Sequence, residues 1–111
     1  MTLTITALSV GRVFGLHKPS LTYLRGWGET RDIPLIMFVI QGGEVPVVVD
    51  TGGDLTRSWE HHRIRMEQAE SERPDVALRS LGIDPAEGGI VVNTHLHWDH
   101  CSNNHLFPNA R

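Results

Sequence analysis

The segment Thr94–Phe107 reads THLHWDHCSNNHLF and sets four metal-ligating residues, His95, His97, Asp99 and His100, within six positions. Histidine is concentrated here: of seven in 111 residues, four fall in the last seventeen. Hydrolysis of an unreactive carbonyl or phosphoryl bond at neutral pH needs a strong nucleophile. A bound metal supplies one by lowering the pKa of its water to about 7, and it also polarises the bond under attack. Imidazole and carboxylate suit zinc and its first-row neighbours. In His95-x-His97, alternate residues of extended chain point the same way, so both rings can reach one ion. Asp99 and His100 follow where the chain must bend, and they diverge toward a second ion. The spacing is shaped for two metals side by side.

Working outward, Gly89–Asn93 reads as a buried strand that delivers the chain to His95, the usual position of a site in a layered α/β fold. Asp84-Pro85-Ala86-Glu87 before it is a one-turn helix with its own cap. Pro74–Leu81 is a short helix, with Pro in its first turn, Leu78 and Leu81 three apart and Gly82 as the stop. The polar stretch from Leu55 to about Glu70 is expected to be helical. Its charges between Arg57 and Arg65 form a solvated face. Asp50-Thr51-Gly52-Gly53 leaves the strand Pro46–Val49 as a sharp turn.

Ile33–Ile40 is a near-continuous apolar strand joined to Pro46–Val49 through QGGE, where Gly42 and Gly43 supply positive φ. Neither strand alternates apolar with polar, so both faces are expected to be covered. Gly11–Glu29 reads as a long loop, a binding loop or a poorly ordered arm by its length and aromatic residues, with Tyr23 and Trp27 expected to pack on the core. Thr2–Val10 is a strand with Leu3, Ile5 and Ala7 on its apolar side.

Taken together, His95-x-His97-x-Asp99-His100, preceded by VVVDTGG at Val47–Gly53, resembles the metallo-β-lactamase superfamily. Within it, THLHWDHCSNNHLFPNA is similar to the branch of N-acyl-homoserine lactonases, the quorum-quenching hydrolases. The resemblance runs from Ile33 onward. It implies an αββα sandwich with a dinuclear centre, usually zinc, at one edge. His95 and His97 would bind the first metal, and Asp99 and His100 the second. A hydroxide between the metals would attack a lactone or ester carbonyl, and Asp99 would also handle a proton for the leaving oxygen. Asp50 would stand behind the ligands and steady their loop. Ser102 replaces a glycine common after this motif, and a serine there can still cap a helical turn.

The resemblance also implies a further histidine for the first metal, a bridging aspartate and a last histidine for the second, all from a C-terminal half. The expectation is therefore that residues 1–111 are an incomplete metallo-β-lactamase-like domain that holds metal weakly and is inactive alone. The alternative is a non-catalytic metal-binding or structural fragment.

Other readings are weaker. Asp-Thr-Gly at Asp50–Gly52 also marks aspartic proteases, but their second apolar-glycine pair is absent from the late strand, which runs IVVNTHLHWDH. His61 and His62 are neighbours about 100° apart on a helix and belong to a solvated face. His105 is packing or solvent-facing, Cys101 is a small buried residue behind the loop, and His17 has no partner pattern.

The resemblance implies a small-molecule substrate, a lactone or ester, and a homodimer stays open, while composition argues against nucleic acid and membrane. With 40% apolar and 21% charged residues the chain fits a single globular domain. Its net charge of −3, with acids and bases intermixed, gives no basic face for nucleic acid. No apolar run is long enough for a membrane, and no signal segment opens the chain. One cysteine makes no internal disulfide, which points to the cytoplasm.

Overall fold

The computed structural model describes residues 2–111. Two long strands, β1 (Thr4–His17) and β2 (Thr30–Gln41), form an antiparallel pair. Strand β3 (Val47–Val49) lies antiparallel to β2, while β4 (Arg65–Glu67) borders β1. Strand β5 (Ile90–Val92) runs parallel to β3 at the other edge, giving the order β4-β1-β2-β3-β5. The helices are α1 (Lys18–Leu21), α2 (Leu55–Glu60), α3 (Pro74–Ser80) and α4 (Trp98–Cys101), with short 3-10 turns at Glu70–Glu72, Pro85–Glu87 and Asn104–Leu106.

One core lies between the sheet and the segments crossing it. Val10, Val13, Leu35, Met37, Val39, Val48 and Met66 of the sheet meet Leu78, Ile83 and Phe107. Each such burial is worth about 1.5–3 kcal/mol, against about 0–1 kcal/mol for an exposed ion pair. Packing on this layer therefore holds the fold. Alternation along β2 decides the facing: Leu35, Met37 and Val39 point into the core, while Ile36 and Phe38 point away.

Several expectations need correction. The first strand does not end at Val10. It continues to His17 because Gly11 and Gly15 form bulges, with register shifts between Ser9 and Arg12 and between Val13 and Leu16. The loop shrinks to the segment between β1 and β2, and Tyr23 and Trp27 do not pack on the core. They are 90% and 68% exposed, because the loop closes on itself through Lys18 and Glu29, outside the core. The helix expected from Leu55 to Glu70 stops at Glu60; a three-residue strand follows, buried through Met66 alone. Of Gly42 and Gly43 only the first has positive φ. Strand β5 is an edge strand and only partly buried.

The apolar run of β2 predicts cover on both faces, yet only one is covered. On the other side, two cross-strand rows stand side by side: Ile5–Ile40–Val47–Ile90 and Ala7–Phe38–Val49–Val92. Ile5 is 70% exposed, Phe38 42% and Val92 45%. The run is continuous because both faces are apolar, and this chain covers one.

Candidate metal centre

The site forms where the parallel strands β3 and β5 end together. Strand β3 releases the chain at Asp50, whose φ of 63° turns it sharply, and the Asp50 amide donates to the Val92 carbonyl at 2.8 Å. The Asp50 carboxylate then crosses to the segment leaving β5. Its Oδ1 accepts from the Thr94 amide at 2.8 Å, and the Thr94 hydroxyl lies 3.0 Å from Oδ1 and 2.8 Å from Oδ2. Oδ2 stands 2.7 Å from Nδ1 of His100. Burial pushes the Asp50 carboxyl up. Hydrogen bonds from His100 and from the Thr94 amide and hydroxyl outweigh burial and hold it below the ordinary carboxylate value.

This arrangement sets the chemistry of His100. A carboxylate accepting at Nδ1 assigns the ring proton to that nitrogen and leaves the Nε2 lone pair free. Nε2 faces Asp99, whose Oδ2 is 3.5 Å away. The His95 ring lies 4.1 Å from that of His100 and 4.6 Å from that of His97, centre to centre. His95 Nδ1 in turn is 3.0 Å from the Thr94 hydroxyl. His95 and His97 are exposed, whereas His100 and Asp99 are partly buried, at 31% and 22% side-chain exposure.

Helix α4 is too short to persist unaided, and the turn after β3 holds it. The His100 carbonyl accepts from the Thr51 amide at 2.9 Å and from Asn93 Nδ2 at 3.2 Å, while the Ser102 amide donates to Gly52. Asn103 Nδ2 donates to the carbonyls of Thr51 and Gly53, at 2.8 and 2.9 Å. The Thr51 hydroxyl donates to Asn104 Oδ1, whose amide donates to Asn93. The supporting roles of Thr94, Asn93, Thr51, Asn103 and Asn104 are not legible in the sequence. Their partners lie up to 53 residues away, and only the repeated asparagines in CSNN hinted at them.

Three imidazoles and a carboxylate gathered at one strand end, with one imidazole oriented by a buried carboxylate, fit a divalent cation in donor chemistry. They do not make a closed shell: among the described residues no three His, Cys, Asp or Glu side chains are disposed as ligands of a single ion. His105 is exposed. Cys101 is partly buried, its thiol 3.5 Å from the Leu96 carbonyl. His61 is exposed, and the exposed His62 ring stacks on Trp98.

Residues 36–111 match the family model of the metallo-beta-lactamase superfamily. The chain belongs to that superfamily. Membership in the metallo-β-lactamase superfamily implies metal dependence, and it agrees with the five-stranded sheet and helices described above. An N-acyl homoserine lactonase of a Bacillus species is 26% identical over 92 residues, spanning 75% of this chain and 37% of that protein. A probable metallo-hydrolase of Methanocaldococcus jannaschii is 48% identical over 33 residues, 30% of this chain and 16% of its own. Among solved structures, an N-acyl homoserine lactone hydrolase with N-hexanoyl-L-homoserine at its catalytic metal centre superposes with a TM-score of 0.82. It is 23% identical, covering 99% of this chain and 48% of its own. A quorum-quenching N-acyl homoserine lactone hydrolase gives 0.78 at 25% identity, covering 96% and 44%. This metallo-β-lactamase-superfamily chain thus spans less than half the length of these relatives. Among its described residues no helix is long and apolar enough to cross a membrane.

Proposed function

We propose that this chain carries the first ligand cluster of a zinc-dependent hydrolase that opens lactones or esters, of the N-acyl-homoserine lactone type. The observation that carries the proposal is the Asp50–His100 contact, which frees Nε2 of His100 inside a cluster with His95, His97 and Asp99. In this reading His95 and His97 hold one ion, and Asp99 and His100 the other. Bound zinc would supply Lewis acidity toward the carbonyl and activation of water. The chain's own residues then have distinct tasks. Asp50 and Thr94 fix which nitrogens are free. Asp99, partly buried beside His100, carries a proton to the departing alkoxide oxygen.

The count of donors bears on activity. A catalytic zinc takes three protein ligands and leaves one position open, whereas two donors stand here for each ion. A working centre therefore draws further ligands from outside the described residues, as expected of an incomplete metallo-β-lactamase-like domain. Residues 1–111 alone hold metal weakly and hydrolyse lactones no faster than buffer. Cys101, with no cysteine to pair with, fits the reducing cytoplasm.

The test has two arms. The 111-residue chain is gel-filtered with zinc and assayed, and a longer protein containing this sequence is assayed against lactones, phosphotriesters, thioesters and β-lactams. Stoichiometric zinc on the 111 residues, with lactone hydrolysis abolished by His97→Ala, would show the incompleteness reading wrong. A longer protein that binds zinc and leaves every lactone untouched would favour the non-catalytic metal-binding reading instead.

A further inference from the structure

Helix α4 carries Asp99 and His100 of the cluster and is a single turn, with no side chain capping its N-terminus. Successive helical residues lie about 100° apart around the axis, so the rotation of Trp98 sets the directions of its neighbours Asp99 and His100. The backbone ties described above hold the C-terminal end of the turn, at His100 and Ser102. At the N-terminal end the indole of Trp98 is the inward-facing group, packed against the core. It lies so close over Gly53 that a Cβ there would stand 2.7 Å from Cζ3. The outer contact of the indole is the His62 ring, stacked at 5.2 Å and 20° between planes.

His62 is itself held firmly. It follows α2 in a turn that the buried Ser58 ties from both sides: the Ser58 hydroxyl donates to the Ile64 carbonyl at 2.6 Å, and the Ile64 amide donates to the Ser58 carbonyl at 3.0 Å. Arg63 takes a left-handed φ of 55° to close that turn, and its amide donates to Trp59.

We propose that His62 is a positioning residue for the metal loop, acting through its stack on Trp98 to fix the rotation of α4. The proposal rests on the metal-centre reading for its purpose, while the stack itself can be tested without metal. The probe is amide hydrogen exchange in the metal-free 111-residue chain, read at the His100 amide, which closes the α4 turn on the His97 carbonyl at 2.9 Å. His62→Ala is expected to speed that exchange about 2- to 10-fold, the range of an aromatic stacking contact. His62→Phe, which can stack but has no ring nitrogen, restores protection, and His61→Ala leaves it unchanged. The amides of Met37 and Val39 in β2 serve as the control for global loss of structure. Unchanged exchange at His100 in His62→Ala overturns the proposal. So does failure of His62→Phe to restore it, which would assign the effect to the imidazole nitrogens, and so does equal acceleration in β2. A parallel titration with Co2+ alone separates the two readings. If a longer protein containing this sequence takes up no cobalt, the metal assignment falls while the exchange result still decides the stack.

Discussion

Asp50 and His100, fifty residues apart in the chain, meet side chain to side chain at 2.7 Å where two parallel strands end together. The contact is backed by the Thr94 amide and hydroxyl on the same carboxylate. A single acidic group thus joins the turn after β3 to the loop and helix after β5.

Replacing Asp50 separates its two roles. Asp50→Asn keeps a residue type that tolerates left-handed backbone and removes the charge. Metal affinity of a longer, zinc-binding protein containing this sequence is expected to fall about 10- to 100-fold, with little loss of fold. Asp50→Ala leaves the Thr94 amide and His100 without an acceptor and adds backbone strain, at a cost of about 2–4 kcal/mol. Metal titration and urea denaturation of the two variants distinguish these outcomes.

The turn Gly52-Gly53 leaves no room for side chains, for two different reasons. At Gly53 the obstacle is space, since a Cβ would sit 2.7 Å from Trp98 and 3.2 Å from Leu35 Cδ1. Gly53→Ala is expected to destabilise by about 1–3 kcal/mol. At Gly52 a φ of 76° adds strain to a 2.9 Å approach on Val10. Gly52→Ala is therefore the worse substitution, and the order of the two urea midpoints checks it.

Glu72 gives the fold an acid-sensitive tie. The Ser9 hydroxyl donates to it at 2.6 Å and the Ala69 amide at 2.9 Å, and these bonds hold its carboxyl below the ordinary 4.5. A carboxyl whose folded pKa is depressed adds stability above its unfolded value, and loses it as pH falls through the folded one. The expected loss therefore begins below about pH 4.5. Ser9→Ala removes the largest cause and should flatten the slope of urea midpoint against pH below that point.

The open sheet face predicts how the chain behaves in solution. Two adjacent rows of Ile, Val, Ala and Phe with no charge among them bind hydrophobic dyes and favour association. Phe38→Lys, at the middle of the face and 42% exposed, is expected to lower both dye fluorescence and the sedimenting mass. Unchanged values for both would show that the face is not what drives association.

What could be read in the sequence divides by range. His95, His97, Asp99 and His100 declared themselves because their spacing is local and their residue types carry chemistry. The turn at Asp50 and the helix at Pro74 were legible for the same reason, through punctuation within a few residues. The extension of β1 to His17 was hidden because a glycine inside a strand and a glycine ending one look alike until the partner strand is known. Strand β4 has three residues and one buried side chain, too few for any period to show. The stack of His62 on Trp98 and the asparagine ties behind α4 depend on contacts across tens of residues, which no local pattern encodes.

The left-handed turn at Asp50 has an evolutionary corollary. The position must satisfy the backbone and supply a carboxylate of one fixed reach. Asparagine meets the first demand and glycine meets it better, but neither carries charge. Glutamate carries the charge on a longer stem and resists the backbone. No residue one codon change from aspartate satisfies both demands. A lineage that loses Asp50 therefore recovers it only by reversion, or by rebuilding the ends of two strands at once.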